Sequence, residues 1–186
     1  MLFLRPGYTL GAFFAGGPDM KRYKTRQIVL MAMLAAVAYL IMSLVRIPVV
    51  LFLKYEPKDV VITIGGFLLG PMASMIISAV VSLIEMVSVS DTGIIGCLMN
   101  FISTCSFACL ASVIYKKKHS INGAVIGLVS GIALMVVVML AWNYIITPLY
   151  TGAQVGYIIQ LIPTLLLPFN FIKSLMNAAL VLILYK

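Results

Sequence analysis

The segment LLLPFNFIKSLMNAALVLILYK, residues 165–186, decides the fold class of this chain. About 20 apolar residues at about 1.5 Å rise per residue cross a bilayer core of about 30 Å, so the segment predicts a transmembrane helix. Asn170, Lys173 and Asn177 interrupt it at a spacing that places all three on one helix face. Lys173 either snorkels to the membrane interface or belongs to a polar stripe that faces a ligand cavity.

The composition of the chain is that of a membrane protein. Of its 186 residues, 63% are hydrophobic and 10% are charged, whereas soluble domains are about 45–50% apolar and about 25% charged. We expect one transmembrane domain over residues 20–186, preceded by an N-terminal extension over residues 1–19 that is either a cloning remnant or a misread start. The formal net charge of +8 reflects membrane orientation here, so no nucleic-acid partner is expected.

Apolar runs between charges and turns predict six transmembrane helices, and hence an all-α integral membrane protein. The second run is too short to cross a bilayer alone, so we expect surrounding protein to back it. The positive-inside rule assigns both termini to the cytoplasm, because five or seven helices would put one basic cluster on the wrong side. The predicted helices cover residues 28–44, 60–69, 72–89, 94–115, 121–146 and 165–186, and the cytoplasmic basic residues are Lys21, Arg22, Lys24, Arg26, Lys116, Lys117, Lys118 and Lys186.

Two outer loops are predicted, at residues 46–58 and 148–163. Tyr55 in the first loop serves either as an interfacial anchor or as part of a ligand lid. Glu85, near the outer end of the third helix, either pairs with Lys173 or reaches the interface.

Small residues mark two helix faces that another helix can approach closely. One is the GxxxGxxxG stripe of Gly123, Gly127 and Gly131 on the fifth helix, and the other includes Ala32 and Ala36 on the first.

The sequence contains no P-loop, no HExxH sequence, no nucleophile elbow and no paired carboxylate site, so we expect no enzyme. Cys105 and Cys109 share a helix face without a His or carboxylate at ligand spacing, which favours core packing over a metal site or a disulfide. The residues alone therefore predict a six-helix protein with a ligand cavity near the outer face, no cofactor, and polar groups on helices four, five and six.

Five stretches resemble the substrate-binding S components of energy-coupling factor (ECF) vitamin transporters, most closely their riboflavin-binding branch. They are the alanine-rich residues 31–38 after the basic start, LKYEPKDV at 53–60 with GGFLLGP at 65–71, TGIIGCLMNF at 92–101, WNY at 142–144 and PFNFIK at 168–173. The resemblance covers residues 20–186, and KYEP-D with GG-x3-GP, together with PFN-x2-K, is specific to this branch.

The resemblance implies high-affinity riboflavin uptake across a bacterial cell membrane, with the vitamin taken up at the outer face. It implies partners besides membrane lipid, namely a transmembrane coupling protein, docked through Ala32 and Ala36, and two cytoplasmic ATPase subunits. The alternatives are an S component for another vitamin such as thiamine, or a stand-alone riboflavin facilitator. The implied ligand-binding residues are Tyr55, Gly96, Asn100, Asn143, Asn170 and Lys173.

Riboflavin offers a flat ring system, carbonyl acceptors, an imide N–H and several hydroxyl groups. Asparagine side chains match these groups because they both donate and accept, and a lysine ammonium donates to carbonyl or hydroxyl oxygens. Tyr55 can stack on the ring. We expect Asn177 to matter less than Asn170 and Lys173, because a ligand that enters from outside need not reach it.

Overall fold

The computed structural model of the chain describes residues 24–50, 53–89, 93–152 and 155–185. The expected N-terminal extension lies outside the described residues, as do the basic Lys21 and Arg22 and the terminal Lys186.

Helices make up nearly all of the described chain, which confirms the predicted all-α class. Five of the helices, α1, α3, α4, α5 and α6, are long and apolar enough to cross a membrane. The elements are α1 (Thr25–Leu44), β1 (Ile47–Val50), β2 (Leu53–Tyr55), α2 (Lys58–Leu69), α3 (Pro71–Ser88), α4 (Gly93–Lys117), α5 (Ile121–Thr151), and α6, which runs without a break through Val155–Leu161, Ile162–Leu166 and Leu167–Tyr185. Two turns are π-helical, Cys105–Cys109 in α4 and Ile162–Leu166 in α6.

The predicted first loop contains a short antiparallel hairpin. Its strands pair Ile47 with Tyr55 and Pro48 with Lys54. The hairpin joins α1 to α2, and we call this end of the helix bundle the hairpin end. The opposite end carries the exposed Lys116, Lys117 and Lys118 at the end of α4, and we call it the basic end.

Helix α2 has 12 residues and is enclosed by protein, as the sequence predicts. Its Ile62 packs in one core cluster with α1 and α3, while Val60 and Phe67 pack in a second cluster with α4, α5 and α6. At Gly66 the neighbours are so close that an added Cβ would lie 1.9 Å from the Ser74 hydroxyl oxygen. Because other helices surround α2, no backbone polar group of this short segment has to face lipid.

A sharp turn links α2 to α3. Gly70 adopts a φ of 97°, which favours glycine, and Pro71 begins α3 at a position where a missing N–H costs nothing.

The predicted outer loop at residues 148–163 is wrong. Helix α5 continues to Thr151 with Pro148 inside it, and Gly152, at φ 68°, ends it in the left-handed conformation. Pro148 lies in the last turn, where the loss of one backbone donor disturbs little of the helix. Pro163 lies in the first turn of the π-helical segment of α6, whose altered hydrogen-bond register accommodates it.

The glycine stripe of α5 packs directly against α4. An added Cβ at Gly127 would lie 2.7 Å from the carbonyl oxygen of Ala111, and one at Gly131 would lie 2.7 Å from that of Phe107. The predicted close helix contact is thereby confirmed, with the second half of α4 as the partner.

We expect Gly131→Ala to destabilise the protein by about 1–3 kcal/mol, because the new methyl group meets backbone that cannot move without shifting α4. Gly156→Ala is the matched control on α6, since nothing lies within 4 Å of its added Cβ, and alanine favours a helix over glycine by about 0.5–1 kcal/mol. Thermal unfolding in detergent, followed by circular dichroism, measures both. Equal midpoints for the two variants would contradict the close contact.

Candidate functional site

Among the described side chains, six that carry charge meet at the hairpin end, and we call them the charge network. Three are cations and three are carboxylates, and the most exposed is Arg46, with 17% of its side chain accessible. Unpaired charges are costly inside a membrane protein, so this pairing is a condition for burying any of them. The members are Arg46, Lys58 and Lys173, and Glu56, Asp59 and Glu85.

Lys58 is the centre of the first half of the network, with 1% of its surface exposed. Its Nζ lies 2.7 Å from Oε2 of Glu56 and donates a hydrogen bond to Oε2 of Glu85. Arg46 bridges the same two carboxylates, with Nε 2.9 Å from Oε1 of Glu56 and Nη2 3.5 Å from Oε1 of Glu85. Arg46 also donates through Nη1 to the carbonyl oxygen of Val89, at 2.7 Å.

The surroundings keep Glu56 ionised. Burial alone would raise its pKa, but the positive charges of Lys58, Lys173 and Arg46 outweigh burial and lower the pKa below its ordinary value. A lowered folded-state pKa means that the pairing stabilises the fold above the ordinary pKa, and that this contribution is lost as the pH falls through the lowered value.

Asp59 is the centre of the second half, with 1% of its surface exposed. Its Oδ1 accepts a hydrogen bond from the Thr104 hydroxyl at 2.6 Å, and its Oδ2 accepts one from Nδ2 of Asn177 at 3.1 Å. The Tyr55 hydroxyl in turn donates to Oδ1 of Asn177 at 3.1 Å. Burial, and then the charge of Asp59, raise the pKa of Tyr55, so its hydroxyl remains a donor. These bonds join the hairpin, α2, α4 and α6.

Lys173 faces the protein interior, with 8% of its surface exposed. Its Nζ lies 4.0 Å from Oδ2 of Asp59, which makes an ion pair but is too long for a hydrogen bond. Among the described residues no acceptor lies within hydrogen-bonding distance of this ammonium group. The lysine is therefore compensated in charge while its N–H donors remain available.

Glu85 differs from both alternatives that the sequence left open. It neither pairs with Lys173 nor reaches the interface, but pairs with Lys58 and Arg46 and accepts a hydrogen bond from Nδ2 of Asn100 at 2.7 Å. Lys58, interpreted from sequence as a charge of the outer loop, is buried instead. The reason is that Lys58 and Asp59 form the first turn of α2, which other helices enclose.

For two predicted binding residues, the hydrogen bonds to described residues all lie within their own helices. Asn143, 1% exposed, donates to the carbonyl oxygen of Met139 at 2.7 Å and accepts from the Thr147 hydroxyl at 3.0 Å. Asn170, 3% exposed, donates to the carbonyl oxygen of Leu166 at 2.7 Å. Among the described residues the Asn170 Oδ1 receives no hydrogen bond, so it remains available as an acceptor.

The predicted site residues therefore fall into two groups. Tyr55, Asn100 and Lys173 join the charge network, whereas the hydrogen bonds of Asn143 and Asn170 do not connect to it, and Gly96 is buried on α4 one turn before Asn100.

Sequence reasoning missed several contributors to this cluster. Among them are Lys58 and Asp59, whose only sequence signal is a Lys-Asp pair that opens an apolar run. The expectation that Asn177 matters less to the ligand than Asn170 and Lys173 stays a prediction; in the structure Asn177 hydrogen-bonds both Tyr55 and Asp59.

The small residues on α1 point in two directions. Ala35 and Ala38 are buried, with 4% and 0% of their surface exposed, whereas Ala32 and Ala36 lie on the exposed side of the helix. The latter pair therefore forms a surface of small residues on the exposed side of α1. Within the described residues, no three His, Cys, Asp or Glu side chains come together as metal ligands.

Comparison with known proteins gives a consistent result. Residues 26–185 match the family model described as "ECF transporter, substrate-specific component". The chain is 26% identical to the riboflavin transporter RibU of Staphylococcus aureus, over 92% of this chain and 94% of that protein. It is 27% identical to the riboflavin transporter FmnP of Bacillus subtilis, over 82% and 86%. A solved structure of the S component of a bacterial ECF transporter superimposes with a TM-score of 0.74 at 25% identity, over 88% of this chain and 95% of that one.

We expect Lys58→Met to destabilise the protein by about 3–5 kcal/mol, because it leaves two buried carboxylates with Arg46 as their shared cation. Lys116→Met, which removes an exposed lysine, is the matched control and should change little. Unfolding midpoints in detergent measure both. Adding Glu85→Gln to Lys58→Met should recover part of the loss, and an unchanged midpoint in Lys58→Met would contradict the pairing.

Proposed function

The chain belongs to the substrate-specific components of ECF transporters, and from that premise we propose that it binds riboflavin and passes it to an ATP-driven coupling module. It is a multi-pass protein of the bacterial cell membrane. The riboflavin transporters among its relatives support the choice of ligand.

The observation that carries the proposal is the state of Lys173. Its ammonium group is buried and paired in charge with Asp59, yet its donors have no hydrogen-bond acceptor among the described residues. A donor in that state suits an uncharged ligand with carbonyl or hydroxyl oxygens, and riboflavin has both. One helical turn earlier, Asn170 offers an unused Oδ1 that suits the imide N–H of the flavin ring.

Tyr55 supports the role of the hairpin as a cover for the ligand. Its hydroxyl is tied to Asn177 on α6, so the hairpin and the helix that carries Lys173 are held together. Its ring can stack on the flavin. We propose Gly96, Asn100 and Asn143 as further ligand contacts on α4 and α5.

We propose that the hairpin end faces the outside of the cell. The basic end carries the exposed Lys116, Lys117 and Lys118, which the positive-inside rule assigns to the cytoplasm. With six helices both termini then lie in the cytoplasm, and the ligand enters at the outer face.

Energy for uptake comes, in this proposal, from a transmembrane coupling protein and two cytoplasmic ATPase subunits. Ala32 and Ala36 support the docking surface, because small side chains exposed on a membrane helix permit close approach of a partner helix.

We expect Asn170→Ala and Lys173→Met each to weaken riboflavin binding about 5- to 150-fold. Each change removes a hydrogen bond and leaves a polar atom of the ligand unpaired in a dry site, which costs about 1–3 kcal/mol. Quenching of flavin fluorescence on titration with purified protein gives the dissociation constants.

Matched controls for this experiment are Asn122→Ala and Lys116→Met, which alter the same residue types at exposed positions. Both controls should bind as the wild type does. Wild-type affinity in both Asn170→Ala and Lys173→Met would place the binding site elsewhere.

Replacing both Ala32 and Ala36 with Trp should abolish riboflavin uptake by cells that contain the coupling module, while binding by the purified protein stays intact. The bulky rings block close approach of a partner helix but lie away from the charge network. Met33→Trp is the control, because Met33 is a large exposed residue of the same helix. Normal uptake by the double variant would refute the docking surface, and uptake without any coupling module would favour a stand-alone facilitator.

A further inference from the structure

We propose that the basic end carries a binding surface for anionic phospholipid, formed by Lys116, Lys117 and Lys118, and we call these three residues the lysine corner. The partner is a component of the membrane and not the transported ligand, so the inference goes beyond the proposed function. Three features of the structure support it, namely the distribution of charge, the way in which the lysine corner is held, and the apolar surface beside it.

Positive charge dominates the surface of the protein. The chain has 13 lysines and arginines and five acidic residues, and the charge network takes up three of each. Ten basic residues remain against two acidic ones, Asp19 and Asp91, so the formal net charge of +8 belongs to residues outside the network. Every carboxylate that the structure describes is at most 3% exposed.

Every exposed lysine or arginine that the structure describes lies at the basic end. Lys24 and Arg26 belong to the start of α1, and the lysine corner follows the last turns of α4. The excess of positive charge at this end holds wherever Asp19 and Asp91 lie, because five cations outnumber two carboxylates. The basic end therefore attracts an anionic partner.

The lysine corner is held at a fixed place in the bundle. Tyr115, the residue before it, stacks its ring on that of Phe67 in α2, with the ring centroids 4.3 Å apart. The Tyr115 hydroxyl also shares a hydrogen bond with the Tyr185 hydroxyl of α6, at 3.0 Å. The end of α4 is thereby tied to two other helices, and the three ammonium groups are confined to one short stretch of the surface.

The length of α4 places the lysine corner at the level of the lipid headgroups. The helix has 25 residues, about 37 Å at about 1.5 Å rise per residue, so its last turn can reach past a hydrocarbon core of about 30 Å. Tyrosines, here Tyr115 and Tyr185, are enriched at this interface. Lysine side chains lay their stems along apolar surface and keep the ammonium group among the headgroups.

The surfaces beside the lysine corner are apolar. Ile121 on α5 is 50% exposed, and Ile183 and Leu184 on α6 are 69% and 64% exposed. In a membrane such side chains contact acyl chains, so the phosphate groups of the same lipids come within reach of the lysines. This arrangement favours a phospholipid over an acidic protein as the partner.

The chemistry of lysine makes the lysine corner selective for net negative charge. A lysine ammonium binds phosphate as a point charge. Zwitterionic and anionic phospholipids both carry a phosphate, but the choline of a zwitterionic headgroup offsets its charge. A cluster of lysines beside a membrane span therefore selects anionic lipid, by about fivefold per lysine before screening by salt.

The test is a competition between two lipids for the purified full chain in detergent. Phosphatidylglycerol and phosphatidylcholine with identical acyl chains are added at equal concentration, and native mass spectrometry gives the ratio of the two lipid-bound species. We expect the wild type to prefer phosphatidylglycerol by at least about fivefold. A ratio near one would overturn the proposal.

Variants locate the preference on the protein. Lys116→Gln, Lys117→Gln and Lys118→Gln combined should reduce the ratio to below about twofold, because the attracting charges are gone. Arginine at the same three positions keeps the charge and should leave the ratio within about twofold of the wild type. All three positions are exposed, so the unfolding midpoints of these variants should match that of the wild type.

The matched control is the double variant Lys24→Gln, Arg26→Gln, which removes exposed cations of the same end from another helix. It should keep most of the preference for phosphatidylglycerol. A loss in this control as large as in the triple glutamine variant would overturn the lysine corner in favour of diffuse attraction.

Two further measurements identify the source of the negative charge. An excess of sn-glycerol 3-phosphate, which has the phosphate and glycerol of the lipid without its acyl chains, should leave bound phosphatidylglycerol in place. Displacement would assign the surface to a soluble phosphate and overturn the proposal. A triple glutamine variant that keeps the wild-type lipid ratio but loses riboflavin uptake in cells with the coupling module would also overturn it, in favour of an acidic protein partner.

Discussion

The ion pairs of Lys58 are the interaction on which the rest of this structure depends. A lysine with 1% of its surface exposed can persist in a membrane protein only if its charge is compensated in place. Glu56 provides one partner from the hairpin side and Glu85 the other from α3. Arg46, which follows α1 directly, pairs with the same two carboxylates. The end of α1, the hairpin side and α3 therefore cannot separate without exposing charged groups to an apolar environment. The hairpin is thereby fixed against the helices.

The position of α2 follows from that constraint. A helix of 12 residues cannot span a bilayer. Instead, α2 contributes side chains to both core clusters of the bundle. Its first turn carries the charged side chains, while close approach at Gly66 holds its second half against α3 and α4. The chain thus places a charged helix start inside the protein and surrounds the remaining turns with apolar contacts.

The polar residues of the candidate site form two groups: one holds the site together, and the other is proposed to bind the ligand. Thr104, Asn177 and Tyr55 are engaged with one another or with Asp59 and maintain the shape of the site. Within the part of the chain that the structure describes, Lys173 and Asn170 keep unused donors or acceptors in buried positions. In the proposed function such an arrangement favours ligand binding without rearrangement, because the groups proposed to meet the ligand are already oriented and desolvated.

The sequence by itself determined the membrane class, the helices except for the ends of α5 and α6, the close packing of the glycine stripe and the family resemblance. These features depend on apolar length, small-residue spacing and local motifs, all of which are readable along one chain. The sequence also identified Lys173 as a functional candidate from its depth in an apolar segment.

Only the tertiary structure decided which charges pair. Glu85 had two plausible fates from sequence, and its actual partners, Lys58 and Arg46, lie 27 and 39 residues away along the chain. Asp59 carries no sequence signal of its own, and only the folded helices bring Thr104 and Asn177 to it. The prolines at 148 and 163 bounded the predicted outer loop. In the structure Pro148 lies in the last turn of α5, and Pro163 lies in the π-helical turn of α6. All these differences have the same physical reason. The energies of ion pairs and the ends of helices depend on distances between groups and on their enclosure by other elements, and the spacing of residues along the chain gives neither the distances nor the enclosure.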